Sequence, residues 1–345
     1  MAEDKAQEVE SSEERPDLKR PPILFNETQA VVEKIERAIG CPLVCYWNST
    51  DGSVCHNDVF AFYELLEQLG SCDRLAVFIK SDGGNGQASL RIVNLLRKHG
   101  VKLTALVPME CASAATMLAL GADEIQMGPL AYLTAVDTSL THALSPIDRD
   151  NDRVAVSLDE LLRVVKLWEE SAKDDAEDNP YSSLFNHVHP LVIGAVDRRR
   201  SLSVRICTEI LQYHMEDTAE IERISQHLNS AYPSHGYPIV LREAQRIGLK
   251  AGPLDPELNS LLLDLNELYS EMGQSARTDF DESNHHENEI LNIIEARGTQ
   301  IFYQTDQDWH YRAEERRWVR LNNESSWIRL NLVEGQVRRS RFHIR

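Results

Sequence analysis

Positive charge is what this chain lacks most. Its 345 residues carry 36 Lys and Arg against 55 Asp and Glu, a formal net charge of −19. A surface so charged repels a nucleic-acid backbone or an anionic membrane, so neither is expected as the main partner, although a locally basic patch stays compatible with it. Long apolar runs are missing too. None approaches the ~18 residues of a membrane-spanning helix, so no transmembrane segment is expected. Close cysteine pairs are absent: Cys41, Cys45, Cys55, Cys72, Cys111 and Cys207 form no C-x-x-C, which argues against zinc knuckles. With no signal-peptide pattern, these read as reduced thiols, and the expected location is cytoplasmic. There is no G-x-G-x-x-G and no Walker lysine–serine pair, so neither a dinucleotide nor a P-loop site is expected, and no cofactor.

What is present is an ordinary globular composition, 42% hydrophobic and 26% charged, on a length that suits one large domain with an appendage. The organising stretch is residues 75–136. Leu75–Lys80 is a short apolar run that ends in Ser81-Asp82-Gly83-Gly84, and a helical pattern over Gly86–His99 follows. Leu103–Pro108 is a second run, and its turn carries Ser113 just ahead of Ala114–Leu120; Glu124–Met127 is a third. Strands alternating with helices predict βαβ units and a parallel sheet, an α/β fold. Ligands in such sheets sit beyond the carboxyl ends of the strands. Both the Gly-Gly turn and Ser113 fall there.

The chemistry of the two turns fits together. Glycines after a strand let backbone N–H groups point into a cleft with no side chain in the way. Two N–H groups aimed at one point make an oxyanion hole. Gly84 and Ala114 are the candidate donors, with Gly83 shaping the turn, and Ser113 is the candidate nucleophile. Serine at a helix start is also an ordinary N-cap, and a Gly-Gly pair is also an ordinary tight turn. Cys111, two residues earlier, reads as a small packed residue.

At these residues the sequence resembles the serine dehydrogenase proteinase (SDH) family of the Clp protease/crotonase superfamily, with the signal-peptide peptidases as relatives. The matching pieces are Ser81-Asp82-Gly83-Gly84, Ser113-Ala114-Ala115-Thr116 and Ala122-Asp123-Glu124-Ile125-Gln126-Met127-Gly128-Pro129. His235-Gly236-Tyr237-Pro238-Ile239, Glu243-Ala244 and Ile247-Gly248-Leu249 fit as well, so the resemblance covers residues 25–272. It implies a Clp protease/crotonase-like core of stacked βαβ units, peptide or protein substrates, no cofactor, and assembly into a homo-oligomer. The family continues past its Gly-Pro with Leu-Gly-Pro-Ile-Asp-Pro; this chain has Leu133-Thr134-Ala135-Val136-Asp137-Thr138, which keeps the Asp and loses the Gly and Pro.

A serine nucleophile needs a base within hydrogen-bond reach. The resemblance to Clp-type proteases implies a histidine about 25 residues after the serine. Here that place holds Val136-Asp137-Thr138, with His142 a few residues on. His142 is one candidate base. His235, in the matched His-x-Tyr-Pro-Ile stretch, is another, and it could equally hold a turn between helices. Asp137 could orient a histidine or cap a turn. A serine–lysine dyad, as in signal-peptide peptidases, would draw on Lys166 or Lys173, both of which also read as solvated helix positions. His285-His286-Glu287 reads as a charged spacer and no metal site is expected; Arg198-Arg199-Arg200 reads as one exposed side of a helix.

The rest divides by pattern. Residues 1–22 read as a disordered acidic leader, and 23–272 as the Clp/crotonase-like domain. Within it, Asn26–Gly40 is a helix stopped by glycine, Leu43–Trp47 a strand, and Asn57 or Asp58 caps a helix through Leu69. Residues 157–272 are nearly all helix. Residues 273–287 read as a polar linker, and 288–345 as a small antiparallel β module of short aromatic strands. From Arg297 on, the chain has ten arginines against six acidic residues, so this appendage could dock on an acidic protein partner or cap the core. The leading expectation is a serine peptidase-like hydrolase. The alternatives are crotonase-type chemistry on acyl-CoA through the same oxyanion hole, and an inactive scaffold that binds a partner.

Overall fold

The computed structural model describes residues 17–137, 139–149, 153–171 and 184–344. The chain begins α1 (Phe25–Ile39), β1 (Leu43–Asn48), α2 (His56–Leu69), β2 (Cys72–Lys80), α3 (Gly86–His99), β3 (Gly100–Val107), β4 (Glu110–Cys111), α4 (Ala114–Leu120), β5 (Glu124–Met127) and β6 (Tyr132–Leu133). A mostly helical stretch follows: β7 (Ser139–Leu140), β8 (Val156–Ser157), α5 (Leu158–Ser171), α6 (Pro190–Leu211), α7 (Thr218–Ser230), α8 (Leu241–Arg246), β9 (Ala251–Pro253) and α9 (Pro256–Met272). The chain closes with β10 (Ala276–Asp279), β11 (Asn284–Ala296), β12 (Thr299–Arg312), β13 (Arg317–Asn323), β14 (Ser326–Val333) and β15 (Gln336–Phe342).

The expected βαβ units are present. β1, β2, β3, β5 and β9 run parallel in that spatial order. Their apolar runs are continuous because helices cover both faces. Leu43, Cys45, Trp47, Ala76, Phe78 and Leu106 point to one side, against Val32 and Ile35 of α1 and Leu262, Leu265 and Tyr269 of α9. Val44, Tyr46, Leu75, Val77, Ile79, Ala105 and Val107 point to the other, against α2, α3, α4 and the buried faces of α6 and α7. Each leucine, valine, isoleucine or phenylalanine among them contributes about 1.5–3 kcal/mol of burial. α1 ends at the expected glycine, but α2 starts earlier than expected: Cys55 is its N-cap, Asn57 and Asp58 lie inside the helix, and the Cys55 N–H donates to Asp58 Oδ2 at 2.7 Å. Gly40 takes the left-handed conformation (φ 66°) and its N–H closes on the Glu36 carbonyl, while Asn85 caps α3 by accepting from the Ala88 N–H at 3.0 Å.

The C-terminal strands differ from the expected linker and separate module. The range 273–287 holds β10 and the start of β11. β11 pairs antiparallel with β1, in register from Val44 opposite Ala296 to Asn48 opposite Asn292. β12, β14 and β15 extend the same sheet outward, with β10 and β13 alongside, giving eleven strands among the described residues. Ile301–Gln304 and Trp309–Arg312 lie in one continuous strand, β12, longer than the short strands expected. β11 escaped notice because it buries polar side chains. His285, His286, Asn288, Asn292 and Glu295 are each under 5% exposed. All are hydrogen-bonded: His286 Nδ1 meets Asp308 at 2.9 Å, His285 Nε2 meets Glu287 at 3.1 Å, and the His285 ring stands edge-on to Trp318 at 4.4 Å. The His-His-Glu stretch is therefore packed sheet and not a spacer.

Glu295 is the extreme case. It is fully buried, and it accepts four bonds: from Thr28 Oγ1 (2.8 Å) and Gln29 Nε2 (2.6 Å) on one oxygen, and from Tyr269 Oη (2.8 Å) and Gln300 Nε2 (2.6 Å) on the other. One carboxylate thereby joins α1, α9, β11 and β12. Of the expected leader, residues 1–16 lie outside the described residues. Residues 17–22 belong to no helix or strand and lie beside the sheet, where the Lys19 N–H donates to Thr278 Oγ1 at 2.9 Å. No helix among the described residues is long and apolar enough to cross a membrane.

Candidate active site

Backbone bonds bring the two turns of the central region together. At the end of β2 the Ser81 N–H donates to the Glu110 carbonyl at 3.1 Å, and the Ala112 N–H donates back to the Ser81 carbonyl at 2.9 Å. The Gly-Gly turn consequently lies on top of Ser113. A Cβ at Gly83 would sit 2.7 Å from Ser113 Cβ and 3.1 Å from the Ala114 nitrogen, so no side chain fits there. Gly83 and Gly84 have φ of 107° and 142°, a region that favours glycine.

The orientation of the Gly83–Gly84 peptide follows from the 53–55 loop. The Val54 N–H donates to the Gly83 carbonyl at 2.8 Å, and the Val54 carbonyl accepts from the Asn85 N–H at 2.8 Å. Across a trans peptide, C=O and N–H point opposite ways. With the Gly83 carbonyl held by Val54, the Gly84 N–H points away from that loop. The Ser113 carbonyl is likewise engaged, accepting from the Met117 N–H at 3.2 Å, which turns the Ala114 N–H out of α4. Neither the Gly84 nor the Ala114 N–H has a partner among the described residues.

Ser113 itself has φ 52° and ψ −116°, and its side chain makes no capping bond to α4. Positive φ is uncommon for a residue with a Cβ and costs on the order of 1–3 kcal/mol. The surroundings impose it. The Ser113 N–H donates to Thr134 Oγ1 (2.8 Å), Thr116 Oγ1 donates to the Cys111 carbonyl (2.8 Å) and accepts from the Thr134 N–H (3.1 Å), and Ser89 Oγ donates to the Ala114 carbonyl (2.7 Å). An ordinary N-cap would need neither the strain nor this bracing. Cys111 is packed as expected, fully buried, with burial pushing its thiol far up.

His235 and Asp137 meet across 98 residues of sequence, Nδ1 to Oδ1 at 2.8 Å. Asp137 follows Val136, whose N–H donates to the Leu228 carbonyl (3.0 Å) and whose carbonyl accepts from Ser203 Oγ (2.8 Å). His235 sits in the turn after α7, fixed by a two-way backbone pairing of Leu133 with Ile239 at 2.8 and 3.0 Å. The hydrogen bond to Asp137 holds the His235 pKa above its ordinary value. An Nδ1–H donated to the carboxylate leaves Nε2 as the acceptor. Ser113, Gly84, Ala114, Asp137 and His235 all line one cavity of about 520 Å³, closed by Ser53–Cys55, Asn85–Gln87, Met117 and the Arg199–Ile206 face of α6.

The other expected residues lie elsewhere. His142 closes a local loop, with its N–H on Ser145 Oγ (2.9 Å) and its Nδ1 accepting from the Leu144 N–H (3.1 Å), and it does not line the cavity. Lys166 is exposed on α5, paired with Glu170 at 3.7 Å. Lys173 lies outside the described residues. Arg198 and Arg199 are exposed on α6, as expected, and Arg199 also lines the cavity. Sequence reasoning missed Val54, Ser89, Thr116 and Thr134 as supports. Thr116 stands within the Ser-Ala-Ala-Thr motif, the one signal that could have flagged it. Among the described residues no group of three or more His, Cys, Asp or Glu could hold a metal ion.

No protein-family profile matches the chain. An uncharacterized protein of Methanocaldococcus jannaschii is 24% identical over 189 residues, 55% of this chain; the chain spans 57% of that relative's length. Two solved structures are similar to it at 13% identity. One is a serine-to-alanine variant of a membrane-bound stomatin-specific protease, with a TM-score of 0.37 over 65% of this chain and 83% of that one. The other is a lysine-to-alanine variant of that protease in complex with a substrate peptide, with a TM-score of 0.36 over 60% of this chain and 73% of that one.

Proposed function

We propose that this protein is a serine peptidase-like hydrolase built on a Clp protease/crotonase-like α/β domain. Ser113 is the nucleophile, His235 the general base, Asp137 the group that orients it, and the Gly84 and Ala114 N–H groups the oxyanion donors. The observation that carries the reading is one cavity lined by a strained serine, a histidine–carboxylate pair at 2.8 Å and two N–H groups without a partner among the described residues. Ser113 Oγ attacks the carbonyl carbon of a peptide bond while its proton passes to His235 Nε2. The carbonyl oxygen takes the negative charge and receives the two N–H groups, each donor being worth about 100- to 1000-fold in rate. The imidazolium, stabilised by Asp137, then protonates the leaving amine, and water releases the acyl group by the reverse sequence.

The cavity favours this over crotonase-type acyl-CoA chemistry, which would use the oxyanion donors and leave the Ser113 strain and the His235–Asp137 pair without a task. His142, engaged within its own loop, is a poorer base than His235. Peptide or protein substrates and homo-oligomeric assembly are carried by the family resemblance, and a cytoplasmic location by cysteines that read as reduced thiols. The test is a fluorophosphonate probe with mass mapping of the adduct. The wild-type protein should be modified at Ser113 and the Ser113→Ala variant should not. A folded wild-type protein that stays unlabelled sinks the reading.

A further inference from the structure

Behind the Gly-Gly turn lies a carboxylate that the mechanism does not use. Asp58 is fully buried at the start of α2. Its Oδ2 accepts from Tyr46 Oη (2.6 Å) and the Cys55 N–H (2.7 Å), and its Oδ1 accepts from Asn292 Nδ2 (2.7 Å). Asn292 Nδ2 also donates to the Ser53 carbonyl at 2.9 Å. The Ser53–Cys55 segment is thus gripped at both ends, at Ser53 through Asn292 and at Cys55 directly. Between them is Val54, whose N–H sets the direction of the Gly83 carbonyl.

We propose that Asp58 is a positioning residue for the oxyanion site: it fixes the Ser53–Cys55 segment, so that Val54 holds the Gly83 carbonyl outward and the Gly84 N–H faces the cavity. A capping role alone would not call for this arrangement. An aspartate at the third helical position can take the N-cap N–H at a fully solvated helix end. Asp58 instead gives up all solvent, which is costly for a carboxylate, and draws its other donors from β1 and β11. Burial pushes its pKa up to about 6, a penalty the fold carries where an apolar side chain would carry none. The groups facing it are Tyr46 from β1, Cys55 from the loop and Asn292 from β11, and none of them is a cation. A grip on the loop from three sides is what the penalty obtains.

The kinetic side of this inference rests on the peptidase reading; the peptide orientation does not. The experiment therefore has two readouts on wild type, Tyr46→Phe, Asp58→Asn and Asp58→Ala. Crystal structures report whether the Val54–Gly83 bond and the Gly83–Gly84 peptide persist. Inactivation by a fluorophosphonate at saturating concentrations separates the maximal rate from probe affinity. Asp58→Ala should release the Gly83 carbonyl and lower the maximal inactivation rate about 100-fold, with affinity changed less than about threefold. Asp58→Asn, which keeps the volume, should show the same effect at smaller size and carries the test if Asp58→Ala does not fold. Tyr46→Phe, which leaves the Cys55 and Asn292 bonds, should cost less than about tenfold. An unmoved peptide and an unchanged maximal rate in Asp58→Asn overturn the proposal and leave Asp58 a cap. If the wild-type protein takes no probe, the peptidase reading fails, and the peptide orientation in the variants alone decides the role of Asp58.

Discussion

Replacing Glu295 tests whether the C-terminal strands belong to the core. In Glu295→Ala the four donors lose their common acceptor. Three have a second one nearby: Thr28 Oγ1 also reaches the Phe25 carbonyl at 3.1 Å, Gln29 Nε2 the Ala296 carbonyl at 3.0 Å, and Gln300 Nε2 the Thr28 Oγ1 at 3.3 Å. Tyr269 Oη keeps only the Cys45 thiol, a weak partner, and a cavity opens beside it. An orphaned buried donor costs about 1–3 kcal/mol and the void adds to it, so a total of about 3–5 kcal/mol is expected. Glu295→Gln behaves differently. Its oxygen keeps Thr28 and Gln29, while its amide can donate to Tyr269 Oη and to Gln300 Oε1, which has no partner in the wild-type protein. A cost of at most about 1 kcal/mol follows. Burial also raises the Glu295 pKa above its unfolded value, so the folded state holds that proton more tightly. The stabilisation this gives is present at low pH and is lost as pH rises through the folded pKa. Glutamine has no such term, so the variant should gain on the wild type between about pH 5 and about pH 8. Urea unfolding followed by tryptophan fluorescence at both pH values measures all three proteins. Equal destabilisation by glutamine and alanine would refute the reasoning.

Truncation after Glu287 removes the part of β11 that pairs with β1 and everything beyond it, and bares the fully buried edge of β1. The shortened chain should aggregate or fail to show a cooperative transition by circular dichroism and light scattering; a soluble, cooperatively unfolding fragment would contradict the single-sheet account. Asp137→Asn removes what holds the His235 pKa up. The rate of fluorophosphonate inactivation should fall about 100-fold or more, and its acid limb should move to lower pH, because a histidine with a lower pKa stays neutral further down. An unmoved limb would mean that His235 is not the base. His142→Ala should leave both unchanged.

How much of this was readable in the sequence depended on which atoms do the holding. Four of the five parallel strands announced themselves by apolar runs, and α3 by its helical pattern to His99; β9, three residues within a stretch read as nearly all helix, did not. The Ser113 turn was legible through its pairing with Gly83-Gly84. β11 was not, because Asn288, Asn292 and Glu295 are buried on hydrogen bonds to residues far along the chain, and no local pattern records those partners. The choice between His142 and His235 failed for the same reason. His142 is five residues from Asp137 and does not meet it; His235 is 98 residues away and does. Val54 carries no motif at all, since it acts through its backbone.

A crystal structure of the phosphonylated protein tests the central claim most directly. The adduct oxygen should lie about 3 Å from both the Gly84 and the Ala114 nitrogens, with Ser113 Oγ bonded to phosphorus and His235 Nε2 facing the departing side. An adduct oxygen turned toward solvent, with the two amides pointing apart, would contradict it.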